Sequence, residues 1–371
     1  MTEAAFDATA ATAANRSSTA TRILGVGTAT PPHAYTQKEL LDLLGFQHPV
    51  TRRVFEAGHI ARRYLILPEP ETGNGALPRE SASALIEKFR QGALQMGQEA
   101  IQTALADASC RPDDIAAIVC VTSTGFMVPG LSSLFARALG LPTSCHRLDV
   151  VGMGCNAGLN GLVALDGWAH RHPGRAGLLV CCEVNSAIYC AEDTLADGIV
   201  NSLFGDGTAA VVVRAGESGA DSGSPGPRVL DFESHMMPEE WQAMRFDWHE
   251  ELARWRFQLS RDIPYLLGVH CTAPVRRLLE RNGLRRHDID HWILHTGGGA
   301  VIDAVKYALG LTEYDVRHTR GVLHDFGNVA SGSFLFSFQR LQRESAASVG
   351  DHGIMMTMGP GAQIETALLR W

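Results

Sequence analysis

The sequence predicts an α/β protein built as two similar halves related by a pseudo-twofold axis, and three observations predict it. A set of segments recurs along the chain. RPDDI at 111–115, IVCVTSTG at 118–125, ALGL at 138–141 and GC at 154–155 are answered by RHDI at 286–289, ILHTGG at 293–298, ALGL at 308–311 and GN at 327–328. Asp114 and Asp288 stand 174 residues apart, Ala138 and Ala308 170, and Cys155 and Asn328 173; so constant a shift across separate features marks an internal repeat. Each copy reads helix, strand, Gly-rich loop, helix, strand, turn, helix, an α/β pattern with crossover connections. The length of 371 residues exceeds the roughly 250–300 that a single core holds, so two halves are expected. A polar, Gly- and Ser-rich stretch at 216–227 divides them as an exposed linker loop.

In chain order, residues 1–21 are rich in Ala and Thr without a continuous apolar run of signal-peptide length, and read as a disordered leader. The N-terminal half, 22–215, opens with an apolar strand from Arg22 to Thr28. Thr36 caps a helix starting at Gln37, with Glu39 placed to complete a capping box. The segment TRRVFEAGHIARRYLIL at 51–67 carries Arg52, Arg53, Arg62 and Arg63. Two readings stand side by side: a solvated, salt-bridged face, or a phosphate-binding patch. A long helix from about Ala82 to Ala106 follows, with Leu85, Phe89, Leu94, Met96 and Ile101 as its apolar positions.

Around Cys155, Leu148, Val150 and Val151 read as a buried strand, glycines bracket Met153, and Leu159, Leu162 and Leu165 share one face of a following helix. Cys155 therefore sits at a sharp strand-to-helix turn, where unpaired N–H groups and the positive end of the helix dipole favour a thiolate. The plainer reading is a small buried apolar residue. In the C-terminal half, 228–371, His295 ends a strand (Trp292, Ile293, Leu294) before a Gly-rich loop and a helix from Ala300. Asn328 ends a second strand-like run and precedes another helix. Singly, such a His is more often a surface or satisfied core residue and such an Asn more often a helix cap; the shared position in the repeat is what sets them together. Two halves packed face to face would bring Cys155 to Asn328, with His295 beside them.

A thiol, an imidazole and a carboxamide without a metal suit one chemistry. The thiolate takes an acyl group from a thioester, while His Nε2–H and the Asn amide hydrogen-bond a thioester carbonyl and stabilise the enolate left when a malonyl group loses CO₂. The enolate carbon then attacks the acyl-Cys. An uncharged Asn does not repel the malonyl carboxylate.

Composition narrows the classes further. The formal net charge of -8 and pI of about 6.0 give no support to a nucleic-acid or anionic-membrane binder. No stretch approaches ~18 uninterrupted apolar residues. The eight cysteines show no CxxC pairing and no His-rich spacing, so neither a zinc site nor a disulfide scaffold is indicated. Reduced thiols in the cytoplasm fit best.

From Arg22 to Trp371 the chain resembles the type III polyketide synthases, the chalcone-synthase-like enzymes of the thiolase superfamily. The resemblance rests on GMGCNAG at 152–158, ILHTGGG at 293–299, FGNVAS at 326–331, LFGDG at 203–207, WRFQL at 255–259 and MGPGA at 358–362. It implies a thiolase-like duplicated αβαβα layered fold, with Cys155 as acyl-binding nucleophile and His295 with Asn328 as the decarboxylation pair. It further implies that Phe204 and Phe257 are gatekeepers between CoA tunnel and cavity, and that Gly359 and Pro360 belong to the loop shaping the cyclisation pocket. Asn185 and Ile188 fall at cavity-lining positions. Arg53 and Ala300 match CoA contacts, whereas Val50 and Ala57 stand where the family pattern is basic. Val128 occupies the position of a Met that crosses the family's dimer interface. The resemblance implies a homodimer that acts on malonyl-CoA and other CoA thioesters without a cofactor or metal.

The MGCNA segment resembles the bacterial branch that makes 3,5-dihydroxyphenylacetyl-CoA from malonyl-CoA alone. The alternatives are a ketoacyl-ACP synthase III-like condensing enzyme, against which the two phenylalanines and the GPG loop argue, an HMG-CoA synthase with Glu183 as base, and a catalytically inactive member of the fold.

Overall fold

The computed structural model describes residues 20–57, 59–71, 77–188, 190, 192, 194–216 and 226–371. Thirteen strands are named in chain order: β1 Thr21–Ala29, β2 Ala34–Thr36, β3 Arg62–Tyr64, β4 Ile115–Thr122, β5 His146–Val151, β6 Ala176–Glu183, β7 Gly207–Ala215, β8 Arg228–Met236, β9 Met244–His249, β10 Arg254–Leu259, β11 His291–Leu294, β12 His352–Gly359 and β13 Gln363–Arg370. Nine of them form one sheet in the order β11-β12-β13-β8-β1-β7-β6-β4-β5. Reading outward from the central β1–β8 contact, each side carries two antiparallel steps and then a parallel one: β1, β7, β6, β4 on one side and β8, β13, β12, β11 on the other. The internal repeat thus becomes a pseudo-twofold relation between the two sets of strands.

The repeat also holds at finer grain. Asp114 and Asp288 each accept the N–H of the arginine three residues earlier, Arg111 and Arg285, over short 3₁₀ turns. The two ALGL segments end helices Leu131–Leu139 and Gly299–Leu309, each closed by a left-handed glycine, Gly140 and Gly310, the commonest way to satisfy a helix C-terminus.

Alternation along the buried strands builds the layers. Ala117, Val119 and Val121 of β4 and Met355 of β12 point to a central core shared with helices Ala157–Arg171 and Ser333–Glu344. Ile118 and Cys120 of β4 point the other way, onto helix Ala82–Asp107. Ile354, Met356 and Met358 of β12 pack on helices Ile263–His270, Thr272–Arg281 and Gly299–Leu309. Strands covered on both faces need continuous apolar runs, which is what β4 and β6 have. The two halves of the one sheet thus lie between a central helix layer and two outer ones, the thiolase-like αβαβα arrangement.

Most expected elements form. Thr36 caps helix Gln37–Leu43 with a reciprocal capping box to Glu39, and the long helix runs Ala82–Asp107. Four expectations need correction. Thr21, assigned to the leader, opens β1 and is fully buried; residues 1–19, like residues 217–225 of the linker, lie outside the described residues. The strand before Cys155 forms, but as the sheet's edge, with Leu148 44 % and Val151 47 % exposed. No strand precedes Asn328: Arg317–Phe326 is a helix, because Thr319, Val322 and Leu323 are spaced to bury one helical face. Finally, Arg63 is not part of a basic face, being fully buried.

Candidate active site

The turn that carries Cys155 is set by glycines. After β5, Gly152 and Gly154 take φ of +86° and +76°, Gly154–Asn156 form a single 3₁₀ turn, and the helix begins at Ala157. A Cβ on Gly154 would lie 2.3 Å from Pro360 Cδ, and one on Gly359 would lie 2.9 Å from the Cys155 nitrogen. Only glycines permit this approach of the MGPGA loop to the back of Cys155.

His295 follows β11 and continues its ladder, its N–H donating to the Met356 carbonyl at 2.9 Å. Its Nδ1 pairs with Ser333 Oγ at 2.5 Å. Burial pushes the imidazole down to about 4, against an opposing backbone contact from Ala330, so the ring is neutral at physiological pH. Asn328 follows Gly327, whose φ is +70°. The Asn328 N–H donates to the Leu203 carbonyl at 2.9 Å, and its own carbonyl accepts from Gly205 at 3.0 Å. This bridge ties the C-terminal half to the segment carrying Phe204. Asn328 Oδ1 accepts the Ala330 N–H at 2.9 Å. That donor fixes the amide's orientation and leaves its NH₂ as the available donor.

Cys155, His295 and Asn328 all line one cavity of ≈ 580 Å³, together with Phe204, Phe257 and Ala300. A smaller chamber on the other side of the aromatic pair is lined by Cys155, Asn185, Ile188, Phe204, Phe257 and Pro360. Phe204 and Phe257 meet edge to face at 5.6 Å between ring centroids, at the junction of the two spaces. Asn185 is held by donating Nδ2–H to the Gly205 carbonyl at 2.6 Å.

Two expected site residues stand off the walls. Gly359 lies behind Cys155, and Arg53 is an exposed residue of helix Pro49–Ala57, whose neighbour Val54 does reach the mouth of the large cavity. The thiol also departs from expectation: burial and then the nearby charge of Glu183 push it up, outweighing the dipole of the turn.

Several contributors were not foreseen. Arg63 donates to the Phe204 carbonyl at 2.7 Å and to Gln37 Oε1 at 2.9 Å and 3.1 Å, so it braces the Phe204 backbone from within the fold. Ser333 orients His295, and exposed Arg261 adds a cation at the cavity mouth. Glu183 is enclosed by Ser123, Thr124 and Ser331, which all donate to it, and it lines neither space. A base role for it finds no support. Among the described residues, no cluster of three or more His, Cys, Asp or Glu could hold a metal, and no helix is long and apolar enough to cross a membrane.

Comparison with known proteins agrees with this architecture. Residues 8–217 match the N-terminal domain, and 233–371 the C-terminal domain, of the chalcone and stilbene synthases. A 3,5-dihydroxyphenylacetyl-CoA synthase of Amycolatopsis balhimycina is 48 % identical over 95 % of this chain and 93 % of its own length. A 1,3,6,8-tetrahydroxynaphthalene synthase of Streptomyces peucetius is 31 % identical over 95 % and 93 %. The crystal structure of the 1,3,6,8-tetrahydroxynaphthalene synthase of Streptomyces coelicolor, a bacterial type III polyketide synthase, superposes with a TM-score of 0.86 at 26 % identity, covering 94 % of this chain and 99 % of that one. These matches exclude the ketoacyl-ACP synthase III alternative: the chain belongs to the chalcone and stilbene synthase family and is a type III polyketide synthase.

Proposed function

We propose that this polyketide synthase converts malonyl-CoA alone into 3,5-dihydroxyphenylacetyl-CoA, with Cys155 carrying the growing chain and His295 and Asn328 driving decarboxylation. One observation carries the division of labour: the buried thiol, imidazole and carboxamide line a single cavity that two phenylalanines divide from a smaller chamber. The product rests on the 48 % identity to the Amycolatopsis enzyme.

The reading takes the tautomer in which Ser333 Oγ, which also accepts the Thr296 N–H at 3.3 Å, donates to His295 Nδ1 and the ring proton sits on Nε2. Nε2–H and the Asn328 amide then supply two donors for a thioester oxygen. Loss of CO₂ leaves an electron pair in the malonyl-derived enolate, which these donors stabilise. The enolate carbon attacks the acyl-Cys155 carbonyl, a carbon–carbon bond forms, and the thiolate of Cys155 leaves. Thioester exchange reloads the lengthened chain from CoA onto Cys155. Only the first loading requires the thiol to lose a proton, which the departing CoA sulfur takes up; after each condensation Cys155 is already the thiolate that attacks the next thioester.

The CoA arm is assigned to the mouth of the large cavity, where Val54, Arg261 and Ala300 meet, with Arg53 one residue from that wall. Asn185, Ile188 and Pro360 are assigned to the folding and ring closure of the chain: they line the small chamber of ≈ 30 Å³ beyond the phenylalanines, and Ile188 and Pro360 also border an adjoining space of ≈ 600 Å³. Incubation with malonyl-CoA alone, followed by mass spectrometry, is expected to give 3,5-dihydroxyphenylacetyl-CoA. Pyrones or tetrahydroxynaphthalene as the main product would reject the product assignment.

The exposed edge strand β5, with Phe126 and Val128 76 % and 82 % exposed, favours a homodimer that covers this apolar surface. Sedimentation is expected to give twice the 40.0 kDa of the chain; a mass of one chain at micromolar concentration rejects it.

A further inference from the structure

Beneath the nucleophile turn runs a polar chain, buried at Asn156, Thr357 and Glu365 and opening to the surface at Ser234, that the chemistry above does not use. Glu365 of β13 lies opposite Thr357 of β12 on one side and Ser234 of β8 on the other. Directly opposed residues share a face of the sheet, so the three side chains form a row. Thr357 Oγ1 donates to the Asn156 carbonyl at 3.2 Å. Glu365 Oε1 accepts from Asn160 Nδ2 at 2.9 Å, from Ser234 Oγ at 3.0 Å and from Gln363 Nε2. Asn160 Oδ1 in turn accepts from Asn156 Nδ2 at 2.8 Å. Asn156, next to Cys155, is fully buried, and Glu365 is 4 % exposed.

The direction of this chain is not arbitrary. An ionised carboxylate only accepts hydrogen bonds, so Glu365 obliges Asn160 to present its NH₂ downward and its oxygen to Asn156. That fixes the Asn156 amide, whose other atom, Oδ1, has no hydrogen-bond partner and would lie 2.4 Å from a Cβ on Gly359. A buried amide oxygen without a partner is costly, and the amide would rotate if Asn160 did not hold it. The chain therefore holds in place the residue that follows the nucleophile.

We infer that Glu365, acting through Asn160 and Asn156, is a positioning residue that sets the Cys155 turn and hence the reactivity of its thiol. The inference rests on the reading of Cys155 as nucleophile, and it concerns the acceptor atom at position 365 rather than its charge. Because all three donors converge on one oxygen, Glu365→Gln retains the chain through its carbonyl, whereas Glu365→Leu cuts it.

The test is iodoacetamide alkylation of Cys155, followed peptide by peptide by mass spectrometry over a range of pH. It reads the thiol directly, whether or not Cys155 carries the acyl chain. Glu365→Leu is expected to slow alkylation at least about tenfold, as displacements of about an ångström do, and to shift its pH profile. It should lower kcat for chain extension while KM for malonyl-CoA stays within about twofold. Glu365→Gln is expected to stay within about twofold of the parent throughout. Decarboxylation of malonyl-CoA, measured in the Cys155→Ala background, should not respond to Glu365→Leu. Asn160→Ala interrupts the same chain with Glu365 still bound to Ser234 and Gln363, and carries the test where circular dichroism shows the leucine variant unfolded. Parental alkylation in the leucine and alanine variants overturns the inference, as does a Gln variant as slow as Leu.

Discussion

Cys155→Ala is expected to abolish chain extension, by on the order of 10³-fold or more, while malonyl-CoA decarboxylation survives within about tenfold. The asymmetry follows from what holds each group. His295 is anchored by Ser333 and the Met356 carbonyl, and Asn328 by Leu203, Gly205 and Ala330. None of these contacts involves the Cys155 sulfur. Loss of one sulfur atom leaves the two hydrogen-bond donors where they were, and enolate stabilisation depends on donors held ready in a water-poor cavity. Extension, in contrast, requires the covalent acyl intermediate, and alanine offers no atom to carry it. Release of acetyl-CoA and CO₂, followed in parallel with polyketide formation, separates the two activities. An equal loss of both would mean that Cys155 also takes part in decarboxylation, and the assignment of roles would fail.

What could be read from the sequence, and what could not, divides along a physical line. Cys155 and His295 were legible because each sits at a strand-to-loop junction whose apolar run and glycines are contiguous in the chain, and because the repeat placed them in a common frame. That frame also brought Asn328 to the cavity that Cys155 and His295 line, yet its local structure was misread. The repeat suggested a strand by analogy, whereas the spacing of Thr319, Val322 and Leu323 follows the helix that forms.

Arg63 shows the opposite failure. Among neighbouring arginines it read as surface charge, and its burial depends on Gln37 and on the Phe204 carbonyl, 26 and 141 residues away. Ser333, 38 residues from His295, left no signal of its own. The strand before Cys155 read as buried because Leu148, Val150 and Val151 are apolar, but an apolar run does not say which surface covers it. Here β5 is the edge of the sheet, and Leu148 and Val151 stay exposed in the chain.

His295→Gln is expected to remove a defined part of the enzyme's acid sensitivity. The folded protein holds this imidazole at about 4, against 6.5 for a free histidine, chiefly because burial disfavours the charged form. Above pH 6.5 neither state binds the proton and the residue adds no pH dependence. As the pH falls below 6.5, the unfolded chain takes up a proton that the folded chain refuses, so stability falls with pH down to about 4, where both states are protonated. The gap corresponds to about 3 kcal/mol at full extent. Urea unfolding of both proteins between pH 7.5 and 4 should therefore show a stability difference that is constant above 6.5 and shifts in favour of the glutamine variant, by up to about 3 kcal/mol, on the way to 4. Taking the difference cancels the titration of carboxylates common to both. A difference that stays flat over that interval would show that the imidazole is not held neutral by burial. Its Nε2–H could then not be the uncharged donor on which the proposed enolate stabilisation depends, since a ring that titrates normally would be partly cationic near neutrality.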